Sequence, residues 1–226
     1  MDISRISKDH SDYVNIWSDS SQHYDLKASG NPRPKYVKKA INNYPAIDFT
    51  GTNVGLVSNH KYSNGPNDPF TWIMAVQPKD SGDRPQNIFS TSDNNWHGPG
   101  DFFPVAASNQ GIHVWAASPE NNINDAKLPK DELTIFTVRY DGKEAFVYWG
   151  MNKRASLIPQ SNSNWKRGPP GYVAMGLALQ NANHDYSGYI GEILAYDVAL
   201  KHSVLEKMVV SMTAKWTTGK PWKESG

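Results

Sequence analysis

Gly188–Trp216, GYIGEILAYDVALKHSVLEKMVVSMTAKW, decides the fold of this chain. It opens as a strand, Tyr189 to Tyr196, turns tightly, and closes as one amphipathic helix over about 201–216. Alternation puts Ile190, Leu194 and Tyr196 on one strand face and Tyr189, Ile193 and Ala195 on the other. Leu205, Met208, Met212 and Trp216 recur at helical spacing and form an apolar stripe, which reads as core and not as a ligand site. Gly219 and Pro221 stop the helix.

Upstream, the chain reads as short strands and polar loops. Val14 to Trp17 alternates as a strand, Asp19-Ser20-Ser21-Gln22-His23 is a polar turn, and Tyr24 to Lys27 pairs beyond it. Pro45–Phe49 and Val54–Val57 flank Thr50-Gly51-Thr52-Asn53 and read as a hairpin. Phe70 to Val76 is continuously apolar, as in a strand buried on both faces. Asn87–Thr91, Gly111–Ala116, Leu133–Tyr140, Ala145–Trp149 and Tyr172–Leu179 follow, and Asp141-Gly142 marks a hairpin turn. Short strands at regular spacing imply two packed antiparallel sheets.

Composition agrees. Eight Trp, eleven Tyr and seven Phe, with frequent Gly, Pro, Asn and Ser, favour strands joined by turns. A chain of 226 residues suits one sandwich over its whole length, 1–226. The net charge is +1 without a basic block, which argues against nucleic acid or an anionic membrane as main partner. Lys35, Lys38 and Lys39 read as a solvated strand edge. There is no cysteine, so disulfides and thiolate zinc are excluded. The N-terminus has no apolar signal region and no run is long enough to span a membrane, so a cytoplasmic origin is expected.

Several segments in order resemble the concanavalin A-like lectin/glucanase superfamily, in its laminin-G-like jelly-roll branch. VNIWSDSSQHYDL, RPKYVKKAINNYPAIDFTGTNVGL, FTWIMAVQPKD, QNIFSTSD, FTVRYDG with VYWGMNK, and the closing strand and Lys-Trp helix carry the likeness. Two departures are Lys201, where the branch tends to have a Ser or Thr helix cap, and the turn Trp149-Gly150-Met151-Asn152. The resemblance implies an all-β, two-sheet antiparallel jelly-roll sandwich with one C-terminal helix. It also implies carbohydrate or protein binding, with glycosidase activity in some members and similarity to modules of phage heads and tails.

Catalysis is not expected. Retaining glycosidases need two carboxyls about 5–5.5 Å apart, and same-face neighbours on a strand are i and i+2. None of the 22 acidic residues has such a neighbour. The seven His residues include no pair at i, i+2 or i, i+4, so histidine metal ligation is not expected. No Gly-x-Ser-x-Gly elbow or phosphate-cradling loop occurs.

Sugar sites combine an aromatic face with amides and carboxylates that bond hydroxyls. Three loops carry these parts: Asp93, Asn94, Asn95, Trp96 and His97; Asn164, Trp165 and Arg167; and Asn183, His184 and Asp185. Asn122, Asn124 and Asp125 are weak calcium candidates, since hard cations need several converging oxygens. No other cofactor is implied. The expected role is a non-catalytic lectin-like binding or assembly domain. Its first reading is a virion structural protein, a phage capsid decoration or tail-associated subunit with glycan binding, displayed on a virion made in the host cytoplasm. Its partners would be other virion proteins in an oligomeric assembly, or cell-surface glycans, with no nucleic acid and no membrane insertion. The alternative is an extracellular, soluble carbohydrate-binding module, or less readily a glycoside hydrolase of the same fold.

Overall fold

A computed structural model describes residues 5–21, 23–62, 68–79, 86–92, 102–107, 111–116, 128–157, 171–177 and 185–218. Two antiparallel sheets account for most of it. The nine-stranded sheet runs β1 (Ile6–Lys8), β2 (Val14–Trp17), β3 (Leu26–Ser29), β6 (Gly55–Tyr62), β15 (Gly171–Met175), β9 (Phe89–Ser92), β10 (Phe102–Ala107) and β11 (Gly111–Ala116), with β8 (Gln86–Asn87) also pairing β10. The seven-stranded sheet runs β14 (Asn152–Leu157), β13 (Ala145–Trp149), β12 (Thr134–Tyr140), β7 (Phe70–Pro78), β16 (Gly188–Tyr196), β5 (Tyr44–Asp48) and β4 (Lys35–Ile41). Helix α1 spans His202–Thr218. The all-β sandwich with one C-terminal helix is therefore present.

Strand β7 shows why its sequence is apolar throughout. Phe70, Trp72, Met74 and Val76 face the core between the sheets, with Trp17, Leu26, Leu56, Phe89 and Val173 opposite. Ile73 and Ala75 face the other way, into a second cluster with Leu205, Val209, Met212 and Trp216 of α1. The helix thus covers the outer face of the seven-stranded sheet, and both strand faces become interior. Buried Thr71 fastens the helix entrance: its Oγ1 donates to the Val198 carbonyl at 2.9 Å and accepts the Leu200 N–H at 3.0 Å.

Three expectations are corrected. First, β16 does not alternate regularly. Ile190 pairs with Val76 but Glu192 pairs with Ala75, so Gly191 is the extra residue of a bulge. A bulge shifts the period by one residue. Ile190 and Ile193 therefore share the inner core, while Tyr189 and Leu194 pack on the helix side. Second, 45–49 and 54–57 are not a hairpin. β5 and β6 lie in different sheets, and Phe49–Val54 crosses between them. Asp48 shapes the crossing by accepting the Thr50 N–H at 2.9 Å and hydroxyl at 2.6 Å. Third, the helix buries Leu205, Val209, Met212 and Trp216, with Met208 only at the margin.

The hairpin partner of β5 is instead β4, closed by Asn42 and Asn43, both at positive φ. Lys35, Lys38 and Lys39 are exposed along β4, the edge strand of its sheet. Charged edges of this kind discourage pairing with another chain. The Asp141 turn forms as expected between β12 and β13, with Oδ1 accepting the N–H groups of Lys143 and Glu144.

Candidate functional site

A cleft of about 360 Å³ opens where the β2–β3 connection meets the end of β16. One wall is Asp19, Ser20, Ser21 and Tyr24; the other is Leu194, Ala195, Tyr196 and Asp197. Trp72, Phe89, Val173 and Ile193, core residues of both sheets, lie beneath. Trp72 and Phe89 meet edge to face, 4.8 Å between ring centroids at 77°. This floor is fixed by sandwich packing, and the volume falls within the range of small-molecule sites.

The first wall is an ordered polar turn. The Asp19 N–H donates to Asp25 Oδ1 at 2.8 Å, the Ser21 hydroxyl donates to Asp19 Oδ2, and the Ser18 N–H bonds the Arg5 carbonyl. The bulge in β16 shapes the second wall, because it places Ile193 in the floor and sets the strand's exit at Tyr196–Asp197.

The two carboxyls are pushed apart. Burial raises the affinity of Asp19 for its proton, but hydrogen bonds from the side chain and backbone of Ser21, the positive charge of the N-terminus and a hydrogen bond from the backbone of Ser20 outweigh it, leaving the carboxyl below its ordinary value. Burial holds Asp197 above its ordinary value. Burial, then the charges of Asp197 and Asp19, raises the Tyr24 phenol. Burial, then Glu192, raises Tyr196. Both phenols stay protonated at neutral pH and keep a donor beside an aromatic face. The cleft thus supplies aromatic surface, hydroxyl donors and carboxylate acceptors, the groups that hydrogen-bond a polyhydroxylated ligand.

A second groove, about 230 Å³, lies between β16 and α1 and includes Glu192, Lys207, Met208 and Lys215. Glu192 there is engaged with the helix, accepting Lys215 Nζ at 2.8 Å and Trp216 Nε1 at 3.0 Å. It docks the helix on β16.

Most residues singled out from the sequence lie outside the described residues: Asp93, Asn94, Asn95, Trp96, His97, Asn164, Trp165, Arg167, Asn183 and His184, and the calcium candidates Asn122, Asn124 and Asp125. Asp185 is described. It is buried, 8% exposed, and its Oδ2 accepts the Asn53 N–H at 2.6 Å, tying the chain before β16 to the sheet-to-sheet crossing. Among the described residues, no group of three His, Asp or Glu side chains converges as a metal site would require. Sequence reasoning did not single out Tyr24, Tyr196 and Asp197, which line the cleft. Asp19–His23 was legible as a polar turn, but nothing local pairs it with the far end of the chain.

Neither a protein-family model nor a curated protein matches this sequence. Solved structures do match in fold. Domain 4 of AbnA, a GH43 extracellular arabinanase from Geobacillus stearothermophilus solved with arabinotriose, is 16% identical with a TM-score of 0.64, covering 85% of this chain and 92% of that one. Trypanosoma rangeli sialidase is 15% identical with a TM-score of 0.64; the match takes in 92% of this chain but only 32% of the sialidase. The CBM40 of Ruminococcus gnavus IT-sialidase, bound to alpha2,3 sialyllactose, is 11% identical with a TM-score of 0.56, covering 73% of this chain and 96% of that one. At these identities the likeness is one of fold.

Proposed function

We propose that this sandwich is a carbohydrate-binding module without catalytic activity, and that the cleft between Tyr24 and Asp197 is its sugar site. The observation that carries the proposal is the cleft itself: two tyrosines, two aspartates and two serines around an apolar floor. Sugars offer such a site apolar C–H faces for aromatic rings and hydroxyls for carboxylates. The likeness to domains solved with arabinotriose and sialyllactose supports binding of glycans. It favours this role over the virion subunit that the sequence first suggested, for which the three neighbours named above offer no counterpart.

A glycan array with the full chain tests the proposal. Hits are expected, and Tyr24→Ala is expected to abolish them while the far-UV spectrum stays unchanged. Trp96→Ala and Trp165→Ala ask whether the Trp-bearing loops bind instead: loss of binding only in those two variants would move the site away from the cleft. Release of reducing sugar from β-glucans would overturn the non-catalytic reading.

A further inference from the structure

We infer that the cleft takes an N-acetylated sugar: the ring stays at the polar rim and the acetyl methyl reaches down to the apolar floor. The inference rests on the cleft being a sugar site and names the sugar class the site prefers. Ala195 carries it. Residues directly opposite each other in an antiparallel pair share one face of the sheet. Ala195 lies opposite Trp72, as Ile193 lies opposite Met74, and Trp72, Met74 and Ile193 all belong to the core between the sheets. The inner face of β16 therefore runs Ile190, Ile193, Ala195. The two isoleucines are buried, but Ala195 is exposed. Its single methyl cannot cover Trp72, and the gap it leaves opens into the cleft.

The floor beneath this gap is apolar and recessed. Phe89 and Val173 keep 4% of their surface open, Trp72 and Ile193 only 1%. So little open surface meets a group the size of a methyl and not the face of a sugar ring. The rim above it is polar, with Asp19, Ser20, Ser21 and Tyr24 along one wall. A matching ligand bonds the rim with hydroxyls and ends in one small apolar group held away from its ring. An acetamido substituent has this form, because its methyl stands beyond the amide and clear of the ring. The methyl of a 6-deoxy sugar sits close to the ring and falls short of a recessed floor. A sugar with neither leaves the floor to water and loses the apolar contact. The preference follows from shape and apolar surface, so salt should not alter it.

Calorimetry on the full chain at neutral pH tests this with cellotriose, the trimer of N-acetylglucosamine and its N-butanoyl counterpart. The N-acetyl trimer is expected to bind about tenfold tighter than cellotriose, the scale on which an apolar pocket discriminates by one methylene. The N-butanoyl trimer should lose that gain, because close-packed core side chains end the cleft and leave no room for a longer chain. Ala195→Leu fills the gap and should bring the N-acetyl trimer down to the level of cellotriose, while Ala195→Gly keeps the preference. In the native chain, magnetisation should pass from the acetyl methyl to the rings of Trp72 and Phe89. Absence of that transfer, equal affinity for cellotriose and the N-acetyl trimer, or a preference untouched by Ala195→Leu would overturn the inference. So would a 6-deoxyglucoside that competes as well as an N-acetylglucosaminide, which would assign the floor to a ring methyl. If the trimers bind alike and Tyr24→Ala abolishes them all, the sugar site stands and only the acetyl preference falls. If no sugar binds on the array or in the calorimeter, both fall together.

Discussion

Oε2 of Glu192 accepts the indole N–H of Trp216 at 3.0 Å. The same oxygen takes the Lys215 ammonium at 2.8 Å, so one carboxylate on the bulged strand holds the last turn of α1. Trp216 is fully buried, and a buried indole N–H needs an acceptor. Glu192→Ala leaves that donor unsatisfied and is expected to cost about 1–3 kcal/mol. Glu192→Gln keeps an acceptor oxygen and should cost less. Urea unfolding midpoints, compared at equal slope, check the order.

Gly191 exists because the indole lies against it. A β-carbon there would sit 2.2 Å from Cη2 of Trp216 and 2.5 Å from Cζ2. Gly191→Ala should push the ring off the sheet and cost about 1–3 kcal/mol, as overpacking typically does. In a Trp216→Leu background the same change should cost little. Equal costs in both backgrounds, read as a double-mutant cycle, would show that the two do not interact.

Lys201 stands just before α1, where Val204 and Leu205 donate their N–H groups to its carbonyl, and the first turn holds no acidic residue. A lysine cannot accept from the free N–H groups, and its charge opposes the helix dipole. Lys201→Asp is therefore expected to stabilise the fold by about 0.5–2 kcal/mol. A rise in thermal midpoint that shrinks with added salt is the expected signature.

Asp197 gives a pH dependence of definite sign. Although part of the residue is open to solvent, burial of its carboxyl holds its folded pKa above the ordinary value of 3.8. Between the unfolded and folded values the native state keeps a proton that the unfolded chain has lost. This group's contribution therefore weakens stability as pH rises through that window, and the penalty persists above it. Asp197→Asn should be more stable than the native chain at neutral pH, with the difference vanishing as pH falls below about 4. A constant difference down to low pH would place its origin elsewhere.

Local signals in the chain determined the fold class. The apolar run at Phe70–Val76, the Asp141-Gly142 turn and the Leu205, Met212, Trp216 stripe each follow from the period of a strand or helix, or from the φ demands of a turn. Those are properties of neighbouring residues. What tertiary structure decided was non-local. The Gly191 bulge reversed the faces of the closing strand because Trp216, far along the chain, needed room for its ring. The turn after Asp48 became a passage between sheets because its flanking strands pair with β16 and with β3 and β15, and not with each other. The cleft arose the same way: Tyr24 and Asp197 share no local pattern, and only the joining of an early turn to the last strand puts both side chains on one cavity.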